Sequence, residues 1–387
     1  MSQGTGTPKV TVEVASGNLQ RQIQVIDGVA GIVGTSATKI GVITVVYSYA
    51  DAVAKGYTPA AEPFLNAQIA QFYTELAGNQ KLWIMGVEDT MTLTQMATLT
   101  NANGAKKLLL AAQGEISLLY LTRNPAGSYA MVAAKFLDKD VEDAVLVSKS
   151  LAEYQKNINR PIRILLDGRT NDLTVQPIDL SISENTYVGV VLGRDYAKGS
   201  AIPIGAYALA RACKYGAHIK IGNGQNGPLT ATRIGVGASK DLEAFYPEEL
   251  DNLSNKGYII PTRRDGAAGY YFGRDNMAGA DDFRILVHGR IIDKAQRVAV
   301  ATATPLLETT VRVNADGTIN DADAKHLENI VTQQLKSQLA GQVSDVDVNV
   351  PTDANIINTS TGGIEVKVLP LGYLTWIKVT IGLTANI

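Results

Sequence analysis

Between Lys81 and Gly193 short apolar runs alternate with segments of helical periodicity, and this alternation restricts the fold more than any other feature. Lys81-Leu82-Trp83-Ile84-Met85, Ile116 to Leu121, Pro161 to Leu166 and Tyr187 to Gly193 read as strands. Leu93 to Leu110 reads as a helix broken near Asn101-Ala102-Asn103-Gly104. Asp140 to Tyr154 reads as a helix with Val141, Ala144, Val145, Ser148 and Leu151 turned inward. The pattern extends to both sides. Pro63 to Leu76 places Leu65, Ile69, Phe72 and Leu76 on one helical face, with Pro63 in its first turn. Ile202 to Lys214 is expected to be a helix and Ala217 to Ile221 a strand. Ile40 to Tyr47, after a Gly- and Ala-rich run from Gly28 to Gly34, is expected to be a strand buried on both faces. Alternating strands and helices predict a mainly parallel sheet covered by helices.

The last third has a different rhythm. A helix follows Pro247, Gly269 to Gly273 is strand-like, and Ile285 to Ala301 carries basic residues beside an apolar stripe. The turn Asn314-Ala315-Asp316-Gly317 precedes a helix from Asp321 to Leu339. Val343 to Val350, Ile364 to Leu369 and Thr375 to Ile381 alternate apolar and polar residues, as does Lys9 to Val14 near the other end. The expected architecture is an α/β core over residues 28–235 and an α+β C-terminal domain over 236–365. Extended strand arms occupy 1–27 and 366–387.

Composition excludes several function classes. Charged residues make up 19% of the 387, below the roughly 25% of ordinary globular chains. A surface short of charge fits a subunit that buries much of its exterior in an assembly. The net charge of -2 gives no basic field for nucleic acid or for a membrane surface. Cys213 is the single cysteine, so no intrachain disulfide forms, which fits a reducing compartment. Met1 to Pro8 has neither the charged start nor the apolar run of a signal peptide, and no stretch has the length of a membrane-spanning helix.

Candidate chemical motifs fail on their context. Gly222-Asn223-Gly224-Gln225-Asn226-Gly227 fits G-x-G-x-x-G, but Pro228-Leu229-Thr230-Ala231-Thr232 does not continue as a helix. A dinucleotide loop needs that helix and a later acidic residue, and Asp241 comes too early. Gly28 to Ser36 lacks the Lys-Ser/Thr pair of a P-loop. His218, His288 and His326 lack ligand-like neighbours for zinc. No serine sits in a nucleophile turn. Asp316, Asp321 and Asp323 lack the spacing of a calcium loop and read as turn and cap residues. No cofactor, metal or catalytic set is expected. An αβ enzyme would bind a small ligand near Asp167, Gly193-Arg194-Asp195 and Gly222 to Gly227, at the C-terminal ends of parallel strands.

One long span carries a family resemblance. Pro203-Ile204-Gly205-Ala206-Tyr207-Ala208-Leu209-Ala210-Arg211 is followed by Gly216 to Lys220 and Leu253-Ser254-Asn255-Lys256-Gly257-Tyr258. Then come Gly269-Tyr270-Tyr271-Phe272-Gly273-Arg274-Asp275, a short acidic loop, and Arg290-Ile291-Ile292-Asp293-Lys294. This order resembles the sheath proteins of contractile phage tails, contractile bacteriocins and related injection machines. Asn276 and Met277 stand where sheaths carry a threonine, which marks a divergent member.

The resemblance implies a structural subunit without an active site, assembled in the cytoplasm of the producing bacterium and carried in a virion tail or injection particle. Its implied partners are other copies of itself, an inner tail tube, and baseplate and terminator or cap proteins. A strand outside the core either completes its own sheet or adds to a neighbour's, and the resemblance favours exchange between neighbours. Val10, Val12 and Val14 at one end, and Trp376, Ile377, Val379 and Ile381 at the other, are then the exchanged residues. Tube contact in sheaths is electrostatic and made by the C-terminal domain, which implies Arg290, Lys294 and Arg297, or Lys325 and Lys336. Each of these also reads as part of a solvated helix face. A closed-ring terminator or baseplate protein is the structural alternative.

Overall fold

The computed structural model describes residues 28–199, 202–376 and 378. Seven strands form the central sheet: β1 (Ala30–Thr35), β2 (Ile43–Val46), β3 (Leu82–Val87), β4 (Leu118–Thr122), β5 (Arg163–Gly168), β6 (Val188–Leu192) and β7 (Tyr258–Ile259). Their spatial order is β7-β6-β5-β4-β1-β3-β2. Every neighbouring pair is parallel except β2 with β3.

Side chains alternate across this sheet into two apolar layers. Ile32, Ile84, Tyr120, Leu165 and Val191 face one layer with helices α1 (Pro63–Leu76) and α3 (Gly205–Lys214). Val33, Met85, Leu121, Ile164 and Val190 face the other with α2 (Lys139–Asn157). The five inward positions expected on α2 are all buried.

Three local expectations change. The Gly- and Ala-rich run is itself the central strand β1. A side chain at Gly31 would press on Ile116 and Leu108, and one at Gly34 on Leu65 and Thr122, so small residues are what let the layers close here. Ile40 to Tyr47 is not buried on both faces. Only Ile43–Val46 is a strand, it lies at the sheet edge, and Ile40, Val42 and Tyr47 are exposed. Ala217 to Ile221 forms turns rather than a strand. The sheet also reaches past residue 235, because β7 pairs in parallel with β6.

Beyond the sheet, α4 (Leu286–Ala303) leads to α5 (Asp321–Gln338) and an antiparallel hairpin of β8 (Val343–Asn349) and β9 (Glu365–Pro370). Ala295 and Val298 of α4, Val331 and Leu335 of α5, Leu339, and Val346 and Val348 of β8 make a separate small core. Each valine or leucine in this set contributes about 1.5–3 kcal/mol when fully buried.

Candidate assembly surface

The hairpin β8–β9 stands apart from the central sheet. It is a sheet of two strands, so each strand has one edge without a partner among the described residues. One face is covered: Val346 and Val348 lie on the small core, opposite Val368 and Val366. The other face is polar, with Asp347 opposite Lys367 and Asn349 opposite Glu365. A two-stranded sheet with both edges open is a marginal unit by itself and a ready template for added strands.

The chain leaves β9 and returns to the central body. Tyr373 donates its hydroxyl to the carbonyl of His218 at 2.8 Å. Lys220 Nζ sits 4.7 Å from the centre of the Tyr373 ring and also donates to Thr375 Oγ1 at 3.3 Å. His288, on α4, packs beside the same ring at 6.0 Å. Beyond this anchor the side chains turn outward. Leu374 is 89% exposed and Trp376 is 78% exposed, with the Arg274 guanidinium 5.5 Å from its ring. Of the expected exchange residues, Trp376 is thus the one among the described residues. Val10, Val12, Val14, Ile377, Val379 and Ile381 lie outside the described residues.

Helix α4 is held to the sheet by charge. Arg163 of β5 donates from Nε and Nη2 to the two carboxylate oxygens of Asp293 at 2.7 and 2.8 Å. The same guanidinium donates to the carbonyls of Thr186 and Gly289. Arg297 donates to three carbonyls of the core, Gly114, Ile116 and Pro161, at 2.5 to 3.0 Å.

Two of the residues expected at a tube surface are engaged within the subunit. Arg297 is directed into the central body, and Arg290 is 4% exposed and donates to the Tyr215 carbonyl. Both charges are used inside the subunit: Arg297 meets carbonyls just before β4 and β5, and Arg290 the carbonyl at the end of α3, groups that need donors. Lys294 is half-buried and donates to Gln342 Oε1. Lys325 and Lys336 remain on the outer side of α5, where Lys325 pairs with Glu328 and Lys336 with Asp345.

The positions considered for a small ligand are engaged in structural bonds. Asp167 is fully buried and takes Arg194 Nη1 at 2.6 Å. Asp195 accepts from Tyr207 and Gln71. At the end of the glycine loop the carbonyls of Gly227 and Pro228 accept from Arg211 at 2.9 and 2.6 Å, and the Gly227 amide donates within the loop to the Gly224 carbonyl. Arg211 in turn binds Glu75 at 2.6 Å, and both are buried. Among the described residues, no group of three histidine, cysteine or acidic side chains is placed to hold a metal ion. No described helix is long and apolar enough to cross a membrane.

Sequence reasoning did not single out Tyr373, Lys220 and His288 as one cluster. The three are far apart in the chain, and a lone tyrosine after Gly372 carries no periodic signal.

Comparison with known proteins places this architecture. The DUF2586 N-terminal domain matches residues 7–276 and the DUF2586 C-terminal domain matches residues 282–387. No curated protein matches the chain in sequence. Among solved structures, a chain of the anti-feeding prophage baseplate is similar, with a TM-score of 0.63 and 14% identity, over 98% of this chain and 99% of that one. A chain of the contracted PVC sheath complex, from an extracellular contractile injection system, gives a TM-score of 0.63 at 11% identity, over 100% and 99%. The sheath tail protein of Desulfitobacterium hafniense gives 0.52 at 10% identity, over 92% and 100%. Matched by both domains of one family along nearly its whole length, the chain belongs to the DUF2586 family, and its fold is the one seen in contractile tail sheath proteins.

Proposed function

We propose that this protein is the structural subunit of a contractile tail sheath. Copies polymerise helically around an inner tail tube, and contraction of the lattice drives that tube through a target envelope. The observation that carries the reading is the full-length likeness to sheath chains at TM-scores above 0.6, combined with a hairpin open at both edges among the described residues. The likeness to a baseplate chain supports a baseplate partner, and a terminator or cap at the far end follows from the same reading. The protein acts without a reaction of its own, assembles in the bacterial cytoplasm and is then carried in a phage tail or injection particle.

Assembly proceeds by strand exchange. The segment around Val10, Val12 and Val14 and the segment of Trp376, Ile377, Val379 and Ile381 add to the two edges of β8–β9 in neighbouring copies. Each added backbone hydrogen bond contributes on the order of 1 kcal/mol net. A head-to-tail contact that does not close a ring continues as a helix. Lys325 and Lys336 on α5 face the tube.

Electron microscopy of the purified chain over a range of concentrations tests this. Hollow cylinders with a helical, cogged cross-section are expected, and a chain lacking residues 371–387 should stay folded and monomeric. Small uniform particles at every concentration, with tube protein present, would rule the sheath reading out. Cylinders from the truncated chain would remove strand exchange alone.

A further inference from the structure

In doubly wound sheets the crevice beyond the strand ends, where the strand order reverses, is the usual place for an anionic ligand. Here the order reverses between β1 and β4. A crevice of about 490 Å³ opens there, lined by the turns after β1, β3 and β4. The turn after β1, Ser36-Ala37-Thr38-Lys39, presents successive backbone N–H groups on one side, as an anion-binding nest does. The nest is already filled. Glu62, 1% exposed, places its carboxylate against the N–H groups of Ala37, Thr38 and Lys39 at 3.0, 2.6 and 3.0 Å. The hydroxyls of Thr38, at 2.6 Å, and Ser36, at 2.9 Å to both oxygens, complete the set.

The nest is held from behind by β3. Ser36 N donates to the Val87 carbonyl and Gly41 N to the Gly86 carbonyl. A side chain at Gly86 would overlap Ser36 and Lys39, so the turn can lie this close only on glycine. The backbone of the turn is thus anchored on β3 by bonds that do not involve Glu62. Burial opposes the charge of Glu62, but these hydrogen bonds outweigh it and hold the carboxyl below its ordinary range. Glu88 and Asp89 line the rest of the crevice and repel a second anion.

We propose that the turn 36–39 is a preformed oxyanion site of the carboxylate class, kept closed to outside ligands by the chain's own Glu62. Removing that side chain converts an internal ligand site into an external one. Glu62→Ala deletes a CH2–COO⁻ unit, which has the size and charge of acetate.

The test is thermal unfolding of the full chain and of Glu62→Ala, in sodium acetate and in sodium chloride at equal ionic strength and neutral pH. The variant should melt lower than the wild type in chloride. Acetate should raise its midpoint by roughly 2–4 °C, saturating with concentration, and leave the wild type where it is. No acetate effect on the variant, or an equal effect on both proteins, overturns the proposal. If the variant is insoluble as made, the yield of soluble protein on refolding from urea is read instead. More recovery in acetate than in chloride supports the site, and equal recovery overturns it.

Discussion

Arg163 and Asp293 meet as fork on fork, two hydrogen bonds at 2.7 and 2.8 Å, with both side chains buried between β5 and α4. The pair joins the parallel sheet to the helix that carries the C-terminal hairpin. Arg163 also lies over the ring of Tyr187 at 4.9 Å.

Removing one partner of this pair should cost about 3–5 kcal/mol, because the other is left charged and unpaired in a buried place. Asp293→Ala and Arg163→Ala should each lower the urea midpoint by that equivalent. The paired change Arg163→Met with Asp293→Leu should recover most of it. Recovery of nothing would show that the Thr186 and Gly289 carbonyls, rather than the charge pair, set the penalty.

Gly205 starts α3 directly against Tyr120 of β4, and a Cβ there would overlap the phenol ring. Gly205→Ala should therefore destabilise by roughly 1–3 kcal/mol, the usual range for overpacking a core. Gly205→Ala combined with Tyr120→Leu should return part of that in the same denaturation experiment.

Asp275 is fully buried, and burial pushes its carboxyl above the ordinary range, with Lys220 at 4.0 Å pulling the other way. Its proton is held more tightly in the folded chain than in the unfolded one. Its contribution is therefore complete at pH below the unfolded value of about 3.9 and is lost as pH rises through the raised folded value. Stability of Asp275→Asn, measured by urea midpoint against pH, should gain on the wild type towards neutrality. The difference should shrink in acid.

Tyr373 ties the segment that follows β9 to the central body. Tyr373→Ala touches little of the two large cores, so its melting temperature should stay close to that of the wild type. Polymer yield in sedimentation should fall several-fold, and Tyr373→Phe, which keeps the ring over Lys220, should lose less.

Lys325→Glu with Lys336→Glu should abolish co-sedimentation with a tube protein while the circular dichroism spectrum and melting curve stay unchanged. Exposed pairs such as Lys325–Glu328 contribute at most about 1 kcal/mol to folding, so reversal reads out binding rather than stability.

The large sheet was legible because its strands are apolar on both sides and its helices have one apolar face. Pro63–Leu76 matches its expected bounds for that reason. β1 was not legible as a strand: its signal is close approach, through Gly31 and Gly34, and close approach has no periodicity. The edge strand β2 was misjudged because an apolar run reads alike whether neighbours cover it or solvent does. The basic residues of α4 looked like one exposed set in the sequence. Arg290 and Arg297 turn inward because the carbonyls they satisfy come from segments more than seventy residues away.

The three-carbonyl grip of Arg297 and the buried fork of Arg163 bear on where mechanical work can be held. A subunit clamped at both of these points is stiff across the junction between its two cores, so it makes a poor spring. In the proposed sheath, elastic energy would therefore reside between copies rather than within them.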